Sequence, residues 1–362
     1  MRKSKSESVL VTKRVRNGFI AQGTYGDVSE ERITIYGESR EHATKHIFMN
    51  DEEDREIFMR EIIFLTRCNH ENIVKLFGYY IDEDDLGFAN GYMFLELCEK
   101  ESFFDVIHKR GISGKDKIQL CIQITNGMIY LHETLGVIHG DLKRGNILFG
   151  KDGKVKICDF GSSRRISCNE IKLEGTVQYM APEIMNNYIG NKPTEKKEAL
   201  DIYSFGILMW EIFSDKMAYV DIKIENVVNL LTLILQKNIR PDISAIKINS
   251  KTIRTLIQNC WTFNPDGRPS SFTEIRKVLI KEFERDDDLE TKIELEPAKK
   301  EEVRRKRMRR KRMKKKREEE NPKLTPKVEA KPKNLKKKRK PRFIDNFVVS
   351  RKQKTKFDKH KK

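Results

Sequence analysis

The chain has 362 residues, 38% apolar and 35% charged, and its 73 Lys and Arg against 55 Asp and Glu give a net charge of +18. Residues 281–362 hold 34 basic against 16 acidic side chains, whereas residues 1–280 hold 39 of each, so a charge-balanced body carries a basic tail. The length suits one large domain or two ordinary ones, and the excess charge does not make the body a basic nucleic-acid-binding fold. The longest apolar stretch, Val227 to Leu235, contains Asn229 and Thr232 and falls far below the roughly 20 residues that span a bilayer. Met1-Arg2-Lys3-Ser4 is followed by no apolar core, so no secretory signal is expected. Six Cys without a Cys-x-x-Cys pair read as free thiols in a reducing compartment.

In chain order, the first hundred residues are strand-rich. Residues 32–36 alternate with β-branched side chains, and Val74–Ile81 and Tyr92–Leu97 read as further strands. Between them Asp51-Glu52-Glu53-Asp54 opens a helix, because acidic residues in a first turn favour the positive end of the dipole. Ile57, Phe58, Ile62 and Leu65 give that helix an apolar face. Past residue 100 the period changes: Cys121, Ile124, Met128, Leu131 and Leu135 recur at steps of three and four, which predicts a long buried helix. Short strands at Asn146–Phe149 and Val155–Cys158 precede mainly helical patterns to about residue 284. The expected architecture is α+β, with a small sheet-rich lobe and a larger helical lobe that meet near Glu99-Lys100-Glu101.

Three blocks carry the chemistry. They are His139-Gly140-Asp141-Leu142-Lys143-Arg144-Gly145-Asn146, then Asp159-Phe160-Gly161, then Ala181-Pro182-Glu183. In this order they resemble the catalytic loop, magnesium-binding loop and activation-segment end of the eukaryotic protein kinases, and the resemblance covers about residues 15–282. It implies a bilobal fold, ATP and Mg²⁺ as cofactors, and protein substrates carrying Ser or Thr. Phosphoryl transfer needs the phosphates held in line, their charge neutralised and the accepting hydroxyl oriented. Asp141 matches the carboxylate that takes the hydroxyl proton, and Lys143 a point charge for the moving phosphoryl group. Asn146 and Asp159 offer hard oxygen donors to the metal.

The resemblance also implies a nucleotide clamp. Ala21-Gln22-Gly23-Thr24-Tyr25-Gly26-Asp27-Val28 matches the glycine-rich loop, with Ala21 in place of its first glycine. Gly23 and Gly26 allow close backbone approach to phosphates, and Val28 covers the adenine. His42-Ala43-Thr44-Lys45 stands where the family has Val-Ala-Ile-Lys, with Ala43 beside the nucleotide and Lys45 on its α- and β-phosphates. Glu61 is the implied partner of Lys45. Leu95 is the implied gatekeeper, Glu96, Leu97 and Cys98 the hinge that bonds adenine through backbone groups, and Leu148 the adenine floor. Asp201 is the implied anchor of the catalytic loop, and Arg268 the partner of Glu183; Lys75 and Glu56 read as ordinary surface residues.

Asp141-Leu142-Lys143 and Gly175-Thr176-Val177-Gln178-Tyr179-Met180 resemble Ser/Thr kinases, with Thr176 placed to bond Asp141 and Lys143. Cys260-Trp261 resembles the tyrosine-kinase-like group. Within it, residues 99–108 and 155–161 resemble mitogen-activated protein kinase kinase kinases of the TGF-β-activated type. Gly140 replaces the arginine that pairs with an activation-segment phosphate. The expectation is therefore weak dependence on phosphorylation at Ser162, Ser163, Ser167 or Thr176. Gly145 replaces a Glu used to read substrate Arg, so no strong basic-substrate preference is expected. Residues 186–200 read as longer than the family's segment.

The expected domains are a flexible N-terminus at 1–14, a kinase domain at 15–284 (small lobe 15–98, large lobe 99–284) and a tail at 285–362. Basic clusters at 304–317 and 336–342, broken by Pro322, Pro326, Pro332 and Pro341, cannot offset chain entropy and predict disorder. They resemble nuclear-import signals that importin reads. They equally suit anionic membrane, at about 1 kcal/mol per basic residue near the surface, or RNA, and the plainest reading is a solvated polyelectrolyte with no partner. Residues 343–349 form an apolar island in this tail, read as a docking peptide. The expected location is cytoplasmic, extending to the nucleus through the tail. A pseudokinase scaffold is the rival reading, favoured only by Ala21 and Gly140.

Overall fold

From Lys45 to Met49 the side chains alternate, with Lys45, Ile47 and Met49 buried and His46 and Phe48 more exposed, which gives the sheet one buried face. A computed structural model of the protein describes residues 11–23, 26–35, 38–83, 89–168, 175–184, 196–222 and 226–285. Strands β1 (Val11–Gly23), β2 (Gly26–Ile35), β3 (Glu38–Met49), β4 (Leu76–Glu83) and β5 (Ala89–Leu95) form one antiparallel sheet in the order β1-β2-β3-β5-β4. On β3, Ala43, Lys45, Ile47 and Met49 share the buried inner face, in register with Leu95, Met93, Gly91 and Ala89 of β5.

Helix α1 (Glu52–Leu65) follows β3 and packs against it. Asp51 caps it by accepting the Asp54 N–H at 2.9 Å, and Glu52, Glu53 and Asp54 occupy its first turn. Ile57, Phe58, Ile62 and Leu65 are all buried, as the pattern predicts. Burying each such side chain contributes about 1.5–3 kcal/mol, which holds α1, and therefore Glu61, against the sheet.

A hinge at residues 96–101 leads to α2 (Phe103–Arg110) and α3 (Gly114–Ile129). Cys121, Ile124 and Met128 of α3 are fully buried. The predicted helix runs on to Thr134 as a single π turn. Two short ribbons, β6 (Val137–Ile138) with β9 (Arg164–Arg165) and β7 (Ile147–Phe149) with β8 (Val155–Ile157), frame the loops between them. The large lobe is completed by α4 (Glu198–Ser214), α5 (Val227–Lys237), α6 (Lys251–Cys260) and α7 (Phe272–Glu284). Helix α4 is buried from Ala199 to Ser214 and is the central helix on which the lobe is built; α3 packs on α7, and α4 on α6.

Several element bounds differ from the sequence reading, each for a hydrogen-bonding reason. β4 starts at Leu76 rather than Val74, because Val74 N–H bonds Ile157 O at 2.9 Å and Ile157 N–H bonds Asn72 O at 2.8 Å, tying this stretch to β8. β5 ends at Leu95, where Glu96 N–H turns to Lys75 O at 2.8 Å. Asn146 and Cys158 lie just outside β7 and β8 and bond each other, Cys158 N–H to Asn146 O at 3.0 Å. β1 begins at Val11, so the small lobe reaches into the segment assigned to a flexible N-terminus. The tail beyond Arg285 with its apolar island, the extension at 186–195, and the tip residues Thr24 and Tyr25 lie outside the described residues. All six Cys are free thiols. Among the described residues, no helix is long and apolar enough to cross a membrane.

Candidate active site

Two groups of polar side chains meet between the lobes. In the first, β3 presents Lys45 and α1 presents Glu61: Lys45 Nζ donates to Glu61 Oε2 at 2.7 Å and to Asp159 Oδ1 at 3.0 Å. Burial opposes the Lys45 charge, but the two carboxylates outweigh it and hold the ammonium above its ordinary value. Burial likewise works against the Asp159 charge, yet Lys45, His139 and Lys143 keep this carboxyl below its usual range. Asp159 sits at φ +66°, a left-handed conformation that costs a non-glycine residue of order 1 kcal/mol and tends to mark functional sites. Glu61 also accepts the backbone N–H of Phe160, and Arg60 Nη1 donates to Gly161 O at 2.8 Å, so α1 is bonded directly to the Asp159-Phe160-Gly161 segment.

The second group surrounds Asp141. Lys143 Nζ donates to Asp141 Oδ2 at 2.6 Å and to Thr176 Oγ1 at 2.7 Å. Thr176 N–H donates to Asp141 Oδ1 at 2.8 Å. Asn146 Nδ2 bonds Asp141 O at 2.8 Å and Asp141 Oδ2 at 3.2 Å. The loop hangs from α4: Asp201 accepts His139 N–H at 2.7 Å and Gly140 N–H at 2.9 Å, and its Oδ2 lies 2.8 Å from His132 Nε2. Burial pushes the Asp201 carboxyl up, but His132, His139 and the Gly140 N–H prevail and hold it below its ordinary value. Arg268, which donates to Glu183 at 2.6 and 2.7 Å, braces the Ala181-Pro182-Glu183 turn against the same lobe.

The residues expected to meet a nucleotide lie on the sheet and hinge. Val28 pairs across β2 with Ala21 on one side and Lys45 on the other; Gln22 faces Asp27, and Gly23 faces Gly26. Ala43 lies opposite Leu95, Leu148 lies on β7, and Cys98 bridges to Gly150. Burial pushes the Cys98 thiol up to about 12, keeping it neutral. At Glu96 the N–H bonds Lys75 O and the carboxylate bonds Lys156 Nζ at 2.9 Å, so the carbonyl is the backbone group through which it would meet a ligand. A cavity of about 390 Å³ lies at the hinge between Glu30, Lys100 and Lys151; Val28, Ala43 and Leu148 do not line it.

Asn146 and Asp159 fit a hard divalent cation. The Asn146 amide nitrogen is committed to Asp141, which leaves its oxygen as the donor, and Asp159 has one oxygen beyond the Lys45 bond. Among the described residues no cluster of three His, Cys, Asp or Glu could hold a metal alone; Mg²⁺ is commonly bound through one or two carboxylates together with substrate phosphates and water. Of the four activation-segment hydroxyls, Ser163 is withdrawn: it is fully buried and donates to His139 O at 3.0 Å. Thr176 is engaged by Lys143, while Ser167 is exposed.

Sequence reasoning missed Arg60 and a second polar cluster in which Tyr179 donates to Glu211 Oε2 at 2.5 Å. The one available signal was Glu211 standing alone in the otherwise apolar run from Gly206 to Phe213.

Comparison with known proteins agrees with this geometry. The protein kinase domain family matches residues 15–283. Mitogen-activated protein kinase kinase kinase 7 of Homo sapiens is 30% identical over 267 residues, 72% of this chain and 40% of its own length. Receptor-interacting serine/threonine-protein kinase 1 of Homo sapiens is 33% identical over 240 residues, 60% of this chain and 33% of its own. A probable serine/threonine-protein kinase of Dictyostelium discoideum is 33% identical over 227 residues, 61% of this chain and 15% of its own. The chain thus spans well under half the length of these relatives. The relatives bear out the resemblance to Ser/Thr kinases of the tyrosine-kinase-like group. The chain belongs to the protein kinase domain family.

Proposed function

We propose that the protein is an ATP-dependent serine/threonine protein kinase that works with Mg²⁺. The observation that carries this is the unbroken chain Glu61–Lys45–Asp159, at 2.7 and 3.0 Å. In it the ammonium that would meet the phosphates touches the carboxylate that would hold the metal. Asp141 accepts the proton of the substrate hydroxyl as its oxygen attacks the γ-phosphorus of ATP and ADP departs. Such a base supplies about 10²–10⁴ in rate. Lys143 stabilises the charge on the transferring oxygens, and Thr176 holds Asp141 and Lys143 in one orientation. Asn146 and Asp159 would hold the metal ion, which neutralises phosphate charge when bound.

Against the scaffold reading, Gly140 keeps its bond to Asp201, and Ala21 pairs with Val28 in the strand ladder. The test is transfer of labelled phosphate from ATP with Mg²⁺ to a generic protein substrate, compared with Asp159→Asn. Label on Ser and Thr that falls at least a hundredfold in the variant is expected; equal label in the two proteins refutes the assignment. We further propose that the basic clusters at 304–317 and 336–342 carry the protein into the nucleus, on their charge alone. A fluorescent carrier fused to residues 286–362 that stays outside nuclei refutes that part.

A further inference from the structure

The hinge is tied to the large lobe by a buried lysine. Lys156, on β8, is 6% exposed. Its Nζ lies 2.9 Å from Glu96 Oε1 in the hinge and 3.4 Å from Asp152 Oδ2 in the turn before β8. The other oxygen of Glu96 accepts Lys75 N–H at 3.3 Å, and Glu96 N–H donates to Lys75 O at 2.8 Å. One ion pair and two bonds to the main chain of Lys75 therefore fix Glu96 between the start of β4 and β8. An ammonium this covered is stable only through its partners, and its closest one belongs to the hinge.

Two further observations connect Lys156 with the place of the base. On the β7–β8 ribbon it pairs directly with Leu148, the residue expected beneath the adenine; such cross-strand partners share a face, with Cβ atoms about 5 Å apart. Gly150 makes room for the lysine: a Cβ there would lie 2.6 Å from Lys156 Cε and 2.5 Å from Asp152 Oδ1. Gly150 is itself bridged to Cys98 of the hinge, and the neighbouring Phe149 O accepts Glu99 N–H at 2.7 Å. The lysine stem thus runs along a glycine that the hinge grips, and its ammonium ends on Glu96.

Resting on the kinase reading above, we infer that Lys156 is a positioning residue for the nucleotide base. Through Glu96 it fixes the hinge carbonyl that would accept the exocyclic amino group of adenine, and so selects adenine over guanine. Guanine carries an oxygen where adenine carries that amino group, so two acceptors would face each other without a proton between them. A hinge free to shift could turn an N–H toward that oxygen instead; a hinge tied by Lys156 cannot.

The test uses the full chain, with and without turnover. Binding of ADP and GDP is read by displacement of a fluorescent ADP analogue, and kcat and KM for ATP are read on a generic protein substrate. The native protein is expected to hold ADP at least tenfold more tightly than GDP. Lys156→Met is expected to weaken ADP about tenfold, about 1.4 kcal/mol, to weaken GDP less than threefold, and to raise KM for ATP with kcat within twofold of native. Glu96→Gln, whose amide keeps an oxygen for Lys156, is expected to give the same pattern in milder form, so the outcome does not depend on one variant folding. Lys156→Arg, which keeps the charge, is expected to restore most of the preference. Lys154→Met, which removes an exposed pair with Glu71 on the same strand edge, is expected to match the native protein. A smaller preference for ADP in either Lys156→Met or Glu96→Gln, with kcat kept, supports the inference. A preference unchanged within twofold in both overturns it and leaves the kinase reading standing. So does a fall in kcat with KM unchanged, which would make Lys156 structural only, and so does native protein that binds ADP and GDP equally. Native protein that binds neither nucleotide and labels no protein overturns both.

Discussion

The carboxylate of Asp201 on α4 accepts the backbone N–H of Gly140 at 2.9 Å, so the catalytic loop is held by its main chain at the position where the family carries an arginine. The neighbouring His139 N–H bonds the same carboxylate at 2.7 Å. A buried acceptor with these partners stabilises the protein only while ionised. Because its folded pKa is depressed, the stabilisation is fully present above the unfolded value, about 3.9 for Asp, and is lost as pH falls through the folded value. Asp201→Asn is expected to cost about 3 kcal/mol at pH 7 and to flatten the fall in stability below about pH 4. Urea unfolding between pH 7 and pH 3 measures both; parallel pH curves for the two proteins contradict the assignment.

Gly140 makes a second prediction. Its φ is +82°, and a Cβ there would lie 2.5 Å from Ser162 O. A left-handed non-glycine residue costs about 1–2 kcal/mol, and the backbone clash adds to it. Gly140→Ala is therefore expected to lose at least about 2 kcal/mol of stability, and an arginine at 140 cannot be introduced without moving residue 162. Without that arginine, phosphatase treatment is expected to lower kinase activity less than tenfold. A hundredfold loss would show another cation receiving the phosphate.

The same segment allows a mapping experiment. Ser163 is buried on His139 O, whereas Ser167 is exposed and Ser162 and Thr176 are partly so. Mass spectrometry of protein incubated with ATP and Mg²⁺ is expected to find phosphate on one or more of these three and none on Ser163. Stoichiometric phosphate on Ser163 contradicts the packing described for residues 139 and 163.

The catalytic centre was legible because its residue types are dictated by chemistry: Lys45, Glu61, Asp141, Asn146 and Asp159 stand in short motifs that tolerate few alternatives. The core helices were legible from period alone, since Cys121, Ile124 and Met128 must share one face. Strand ends were not. Whether Val74 pairs with β4 or with β8 depends on a partner more than eighty residues away, which no local pattern encodes. Ser163 looked like its neighbours for the same reason, as burial by His139 is a tertiary fact. Glu211 gave little signal because its meaning lies in packing against Tyr179.

The Lys45–Glu61 pair is suited to a double-mutant cycle. Its side chains are 9% and 1% exposed, so Lys45→Met leaves the Glu61 charge buried without its cation, whereas Glu61→Gln leaves Lys45 paired with Asp159 at 3.0 Å. Lys45→Met is expected to cost about 3–5 kcal/mol if the Glu61 charge persists, and Glu61→Gln less. The double variant is expected to cost less than their sum by more than about 1 kcal/mol. Phosphate transfer falls at least a hundredfold in Lys45→Met, since the ammonium that meets the nucleotide is gone. Additive stabilities would mean the two charges do not depend on each other.

Arg268 tests the large lobe separately from the chemistry. Its side chain is 0% exposed and forms a fork with Glu183, at 2.6 and 2.7 Å. It also donates to Ala199 O at 2.8 Å, Thr262 O at 2.9 Å and Phe263 O at 3.2 Å. A lysine has one donor centre and no plane, so it cannot meet the carboxylate and three carbonyls in their present positions. Arg268→Lys is therefore expected to cost about 3 kcal/mol, and Arg268→Ala, which strands a half-buried Glu183, about 3–5 kcal/mol. Glu183→Gln keeps one fork contact and is expected to cost less than either. Urea midpoints at a constant m-value give the order. A lysine variant as stable as the native chain would show that the charge alone suffices and that the fork geometry is dispensable at this joint.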